Sequence, residues 1–406
     1  MRQSTRSFSR LSLFPAVAVS PTIRTAPLLR ITCFHLRQSL PHPARPRTHI
    51  TSRRAKMSAS AATAAPVIPG TSIAVLRDLP ALQRWRQPLA ASHRQVALVP
   101  TMGALHAGHL SLIRAAARDN HHVVVSIYLN PAQFGATEDL DSYPVTWDAD
   151  VAALAALDRE LAADGGNLGR ISAVFAPSTQ VMYPSGFPGQ AVDSVGSFVS
   201  ITPVGSVLEG ASRPTFFRGV ATVCMKLFSA VQPQRVYFGQ KDVQQTVVIR
   251  TLVRDFLLPL EVVVCPTQRG DDGLALSSRN VYLGQRRRRV ATVLYEGLKR
   301  AEEVLKQGVM DRESVLGAAT EWVDKVLMQQ KQMPAKDRVL FEVDYISLAH
   351  PETMQELQTV DGAKGAILSG AITFLPVEEP QAGEDLGHSG GPAVRLIDNI
   401  IFKGQE

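Results

Sequence analysis

The stretch "QVALVPTMGALHAGHLSLIRAAARDNHHVVVSIYLNP", residues 95–131, decides the fold. It opens on a near-continuous apolar run, 95–100, and passes through a turn holding Pro100 and Gly103. Leu110, Ile113 and Ala117 then fall at i, i+3 and i+7, an amphipathic helix with Arg114 and Arg118 off the apolar stripe. A second apolar run, 121–129, stops at Asn130–Pro131, where the ring restricts the preceding residue. Strand, helix and strand within about 35 residues make a βαβ unit. Strands this apolar suit a parallel sheet covered on both faces.

The alternation continues on both sides. "IAVLRDLPALQRWR" reads as a short strand and a helix, residues 147–162 as an Ala/Leu-rich helix, and "SAVFAPS" at 172–178 as a strand. A helix at 219–231, a strand at 235–242, a helix from Asp242 and the strand "LEVVVCPT" at 260–267 follow. After 268 the texture changes: a polar loop, helices at 285–307 and 311–329, and strands at 341–349, 366–377 and 394–402. The Gly/Glu/Pro-rich segment 378–393 reads as a mobile surface loop. The expected fold class is therefore α/β, a Rossmann-like doubly wound parallel sheet with a second, smaller α+β domain. The expected division is a disordered basic leader over 1–70, a catalytic domain over 71–267 and a C-terminal domain over 268–406.

The formal charge of +7 belongs to the leader. Residues 1–56 hold eleven Arg or Lys and no acidic residue, and without them the charge falls to −4. Nucleic-acid binding by the folded part is therefore not expected. The leader resembles a mitochondrial presequence, so the expected compartment is cytoplasmic or mitochondrial. No stretch approaches the roughly 20 apolar residues of a membrane span. Cys33, Cys224 and Cys265 are scattered, with no CxxC pair and no disulfide framework.

His106 and His109 stand three apart at the start of the helix. Zinc ligation would need a further ligand at compatible geometry, and no HExxH spacing or nearby cysteine supplies it. Phosphate contact fits the place, because free N–H groups and the helix dipole favour anions there. Ordinary capping or surface histidines are the remaining reading. The glycine pattern is neither GxGxxG nor GxxxxGK[ST]. Asn130 and Gln133 end the second strand on the usual ligand edge of an open sheet, and neutral amides suit a hydroxy acid. In "FGQKDVQQ", 238–245, Lys241 can meet a phosphate or carboxylate and Asp242 can cap the helix or accept from a ribose hydroxyl. Gln245 shares nearly the same face. In "GLALSSRN", 273–280, Ser277, Ser278 and Arg279 can form a loop closing over a triphosphate. Asp148 and Asp150 at a helix start can meet magnesium or simply cap it.

Taken together, "PTMGALHAGH" (100–109), "NPAQFG" (130–135), "LEGASRP" (208–214), "FRGVATV" (217–223), "FGQKDVQQ" (238–245), "DGLALSSRN" (272–280) and "RLIDN" (395–399) resemble, in order, the pantothenate synthetase (pantoate–β-alanine ligase) family. The resemblance spans about 75–400 and implies a typically homodimeric enzyme. Such an enzyme activates pantoate with magnesium ATP as pantoyl adenylate, releases pyrophosphate and passes the acyl group to β-alanine. It implies that His106 and His109 contact ATP phosphates, that Met102 lies beside the reacting phosphate, and that Gln133 and Gln245 clamp pantoate, with Asn130 beside them. By the same resemblance Lys241 and Arg279 are expected to serve catalysis and bind phosphate. It further implies that Gly239 and Asp242 hold the nucleoside, that Ser277, Ser278 and Arg279 form the closing loop, and that Asp150 corresponds to an acidic residue near Mg2+. The competing readings are an enzyme that only transfers a nucleotide and a binder that has lost catalysis. Two departures stand out: Phe216 replaces the family's usual histidine in "RPTFF", and Val145 replaces an arginine in "YPV". The leader and the 378–393 segment suggest a eukaryotic, fungal setting.

Overall fold

The computed structural model describes residues 65–136 and 138–404, so most of the leader lies outside the described residues. Ile68 is already buried, and its N–H donates to the Ile73 carbonyl at 2.9 Å. The folded chain thus starts a few residues before 71.

The first sheet alternates with helices: β1 (Ala74–Leu76), α1 (Leu79–Ala91), β2 (Val96–Thr101), α2 (Ala107–Asp119), β3 (His122–Ile127), α3 (Trp147–Ala163), β4 (Arg170–Phe175), α4 (Phe216–Val231), β5 (Arg235–Gly239), α5 (Val243–Asp255) and β6 (Glu261–Cys265). Its strand order is β1-β4-β3-β2-β5-β6, and every pair is parallel. The chain winds outward from β2 in both directions, which makes the β2/β5 boundary the switch point. There Ala97 lies opposite Arg235 and Leu98 opposite Val236.

Alternation along β2 and β3 sends side chains to opposite faces, and both faces are covered. Leu98 and Val124 pack with Leu82, Val220 and Val248 from α1, α4 and α5. Ala97, Val99, Val123 and Val125 pack with Ile113, Ala116, Leu154 and Leu157 from α2 and α3. Each buried leucine, isoleucine or valine among them contributes roughly 1.5–3 kcal/mol, and each alanine less. The buried stripe of α2 is Leu112, Ile113, Ala116 and Ala117; Leu110 is only partly buried.

The C-terminal part is an antiparallel sheet, β7 (Phe341–Ala349), β8 (Ala366–Phe374) and β9 (Val394–Phe402), with β8 central. Helices α6 (Val293–Lys306) and α7 (Arg312–Gln332) share its core through Leu294, Leu298, Val315 and Ala319. The single helix expected over 285–307 is broken. A short helix, Gly284–Arg288, ends in tight i→i+3 bonds, such as Val290 N–H to the Arg287 carbonyl at 3.1 Å, before α6 begins.

The 378–393 segment is tied down rather than loose. Arg286 pairs with Glu384 (Nε to Oε1 2.7 Å) and donates to the Glu378 carbonyl at 2.9 Å. The fully buried Arg287 donates to the carbonyls of Pro392 at 2.6 Å and Leu386 at 3.1 Å. Gly/Pro/Glu composition signalled a loop, but it could not reveal that two arginines far upstream in the chain would collect its carbonyls.

Candidate active site

Three segments leave the carboxyl edge of the sheet beside one another: the turn after β2, the turn after β3 and the turn after β5. They surround a cavity of about 220 Å3. Met102, His106, His109, Gln133, Gly239, Lys241, Asp242, Gln245, Ser277, Ser278 and Arg279 all line it. Asn130 and Asp150 do not.

The β2–α2 turn is built around Gly103, at φ 90°, and Ala104, at φ 49°. Only glycine adopts the first conformation without cost, and a Cβ there would meet Asp150 Oδ2 at 3.0 Å. His106 is the N-cap of α2, and its Nδ1 accepts from Gly108 N–H at 3.1 Å. In the neutral ring that leaves the proton on Nε2. The rings of His106 and His109 lie 4.1 Å apart, tilted by 38°. Burial, then the Lys241 cation, lower His106 to about 4, against an opposing pull from Asp242. Burial, then His106 and Lys241, lower His109 to about 3. Both imidazoles are therefore neutral at pH 7. His109 Nδ1 is buried without a hydrogen-bond partner.

Gln133 Nε2 donates to Met102 Sδ at 3.0 Å, and its Oε1 accepts from Asn130 at 3.1 Å. Asn130 is buried behind it, donating to the Gly219 carbonyl at 3.2 Å and accepting from Tyr183 O–H at 2.7 Å. It orients Gln133 rather than facing the cavity. The contact needs a glycine in α4, since a Cβ on Gly219 would meet the Ala132 carbonyl at 2.2 Å.

The Ser277–Arg279 segment is seated from several directions. Ser277 Oγ accepts from Arg279 N–H at 3.2 Å, and Ser278 Oγ donates to the Ala104 carbonyl at 3.3 Å. Arg279 makes a two-pronged pair with Asp139, at 2.9 and 2.8 Å. The C-terminal sheet reaches the same region through β9. Asn399 donates to the carbonyls of Gln240 at 2.9 Å and Lys241 at 2.8 Å, while Asp398 pairs with Arg269 at 2.7 and 2.8 Å.

Sequence reasoning missed Arg213. Its guanidinium stacks on Phe216 at 3.9 Å, pairs with Glu138 and donates to the Gln133 carbonyl at 3.3 Å. Its place in "LEGASRP" was the available signal. Of the two departures, Phe216 lines the cavity, whereas Val145 is 79% exposed. The Cys224 thiol also lines it, but burial pushes it up to about 12, so it offers no thiolate.

Among the described residues no group of three or more His, Cys, Asp or Glu is placed to hold a metal ion, and no helix is long and apolar enough to cross a membrane. The Asp150 carboxylate accepts from Leu105 N–H at 2.7 Å, Ala104 N–H at 3.0 Å and Thr146 O–H at 3.0 Å. These donors hold it against the β2–α2 turn and Thr146, outside the cavity lining.

The family model described as pantoate–β-alanine ligase matches residues 74–401. A pantothenate synthetase of Roseiflexus castenholzii is 43% identical over 328 residues, covering 81% of this chain and 100% of the relative. The pantoate–β-alanine ligase of Saccharomyces cerevisiae is 38% identical over 315 residues, covering 76% and 92%. The crystal structure of pantothenate synthetase from Thermus thermophilus is similar at a TM-score of 0.62 and 37% identity, covering 80% of this chain and 98% of that one. That of a Francisella tularensis pantoate–β-alanine ligase complexed with β,γ-ATP and β-alanine gives 0.53 and 28%, covering 81% and 97%. With the parallel sheet, the paired histidines and Gln133 and Gln245 lining one cavity, this chain belongs to the pantoate–β-alanine ligase family, whose members join pantoate to β-alanine at the expense of ATP.

Proposed function

We propose that the cavity performs this ligation in two steps, with the following division of labour. Gln133 and Gln245 hold pantoate through its hydroxyls and carboxylate. Gly239 and Asp242 hold the nucleoside, and Met102 fills the space beside the reacting phosphate. A carboxylate oxygen attacks the α-phosphorus and pyrophosphate leaves. His106, His109, Lys241, Ser277, Ser278 and Arg279 stabilise the growing charge on the phosphates. Neutral imidazoles act here as hydrogen-bond donors, which requires no proton transfer.

The observation that carries this reading is the pairing of His106 Nδ1 with Gly108 N–H, which leaves Nε2–H as the free donor of a neutral ring. In the second step the amine of β-alanine attacks the acyl carbon and AMP leaves. An imidazole held near 4 is too weak a base to deprotonate an ammonium ion, so the amine arrives neutral and its proton leaves through substrate or solvent.

A magnesium ion would supply further positive charge to the nucleotide phosphates, beside Lys241 and Arg279, which line the same cavity. The family resemblance supports a homodimer, and the basic leader, similar to a presequence, supports a mitochondrial as well as a cytoplasmic setting. Sedimentation and the mature N-terminus from fractionated cells test these two points. The reaction itself is tested by pantoate-dependent exchange of pyrophosphate into ATP, followed by amide formation when β-alanine is added. Exchange without amide would leave a nucleotidyltransferase only.

A further inference from the structure

We infer that Asp150 is a positioning residue that holds the histidine-bearing turn in its reactive shape, and not a ligand of the magnesium ion. The inference rests on the reading that His106 and His109 meet the phosphates.

Asp150 is 2% exposed, and among the described residues it forms no ion pair. A carboxylate in that position needs strong donors, and it has three. Oδ1 takes Leu105 N–H at 2.7 Å and Thr146 O–H at 3.0 Å; Oδ2 takes Ala104 N–H at 3.0 Å. Those two peptide N–H groups belong to the residues just before the N-cap, His106. Ala104 sits at φ 49°, a conformation that strains a residue with a side chain and persists only where its surroundings hold it. Asp150 holds its N–H, and Ser278 Oγ holds its carbonyl at 3.3 Å. The same residue therefore links the carboxylate, the histidine turn and the closing loop. Magnesium needs accessible oxygens in near-octahedral array at about 2.0–2.1 Å. The oxygens of Asp150 are turned into the backbone and are absent from the cavity lining.

Two variants and one binding measurement test this. Asp150→Asn keeps the shape, but its amide cannot accept from both peptide N–H groups and the threonine at once. Thr146→Val removes one donor without touching the carboxylate. Asp150→Asn is expected to lower kcat of pantoate-dependent exchange about 10- to 100-fold, with half-saturating Mg2+ unchanged. It should also move the side-chain 15N resonances of His106 and His109. Thr146→Val is expected to do the same to a smaller degree. Manganese titrated into the wild-type protein without nucleotide, followed by electron paramagnetic resonance, should show no stoichiometric site.

Stoichiometric manganese lost in Asp150→Asn, or a rate restored by excess Mg2+, would overturn the inference. So would unchanged exchange, or histidine resonances that stay in place while the rate falls. If Asp150→Asn does not fold, Thr146→Val and the wild-type manganese titration decide alone. The histidine resonances are read in the free protein, so they test the positioning role even if the phosphate-contact reading fails.

Discussion

The rings of His106 and His109 lie 4.1 Å apart on the first turn of α2, and the Nδ1 of one already accepts from the helix's own Gly108 N–H. A pair this close cannot both carry charge without mutual repulsion, and burial works in the same direction. Histidine titration by NMR in the ligand-free protein should give about 4 for His106 and about 3 for His109. Values near 6.5 for both would mean a solvated pair of ordinary histidines.

The same shifts set a pH dependence of stability. The unfolded chain protonates its histidines near 6.5, and the folded chain resists until about 4 and about 3. Between those values the unfolded state binds more protons, so stability falls as pH falls. The slope is at most about 1.4 kcal/mol per pH unit per histidine. Urea midpoints at pH 7 and pH 5 should show this loss, and a double variant, His106→Gln with His109→Gln, should lose part of it. A slope identical in wild type and double variant would contradict the assignment.

Removing either imidazole should cost catalysis far more than folding. His106→Ala and His109→Ala are each expected to slow exchange about 100- to 1,000-fold, with far-UV circular dichroism unchanged. Wild-type exchange in either variant would remove that residue from the reaction.

Gln133 is held from behind by Asn130, so two substitutions should act on one substrate. Gln133→Ala is expected to raise KM for pantoate about 10- to 100-fold, and Asn130→Ala to raise it less, with KM for ATP nearly constant. Equal effects on both substrates would show a general collapse of the site.

Much of this site was legible in the chain itself, for a physical reason. Groups that leave a parallel sheet at one edge come from strand ends, and strand ends are visible in hydrophobic pattern. That places the histidine pair, Gln133 and the Lys241 segment together before any coordinates. What stayed hidden depends on contacts across long sequence gaps. Asp150 reads as a helix-start acid, and nothing local tells that it reaches back 46 residues to Ala104. Arg287 reads as one of four consecutive basic residues, yet it is fully buried against the 378–393 segment. Asn399 lies inside the last strand and reads as one more polar position there, while its side-chain N–H groups fasten the Gln240 and Lys241 carbonyls. Asn399→Ala should therefore destabilise the chain by about 1–3 kcal/mol in chemical denaturation and lower exchange as well. Full stability and full exchange in this variant would show that the bridge from β9 contributes nothing.

The most direct measurement follows the carboxylate oxygens of pantoate. Pantoate labelled with 18O at both carboxylate positions is turned over with ATP and β-alanine, and the products are weighed by mass spectrometry. Attack on the α-phosphorus, then displacement by the amine, leaves one labelled oxygen in AMP and one in the new amide. Unlabelled AMP, or label appearing in inorganic phosphate, would contradict adenylation at this site.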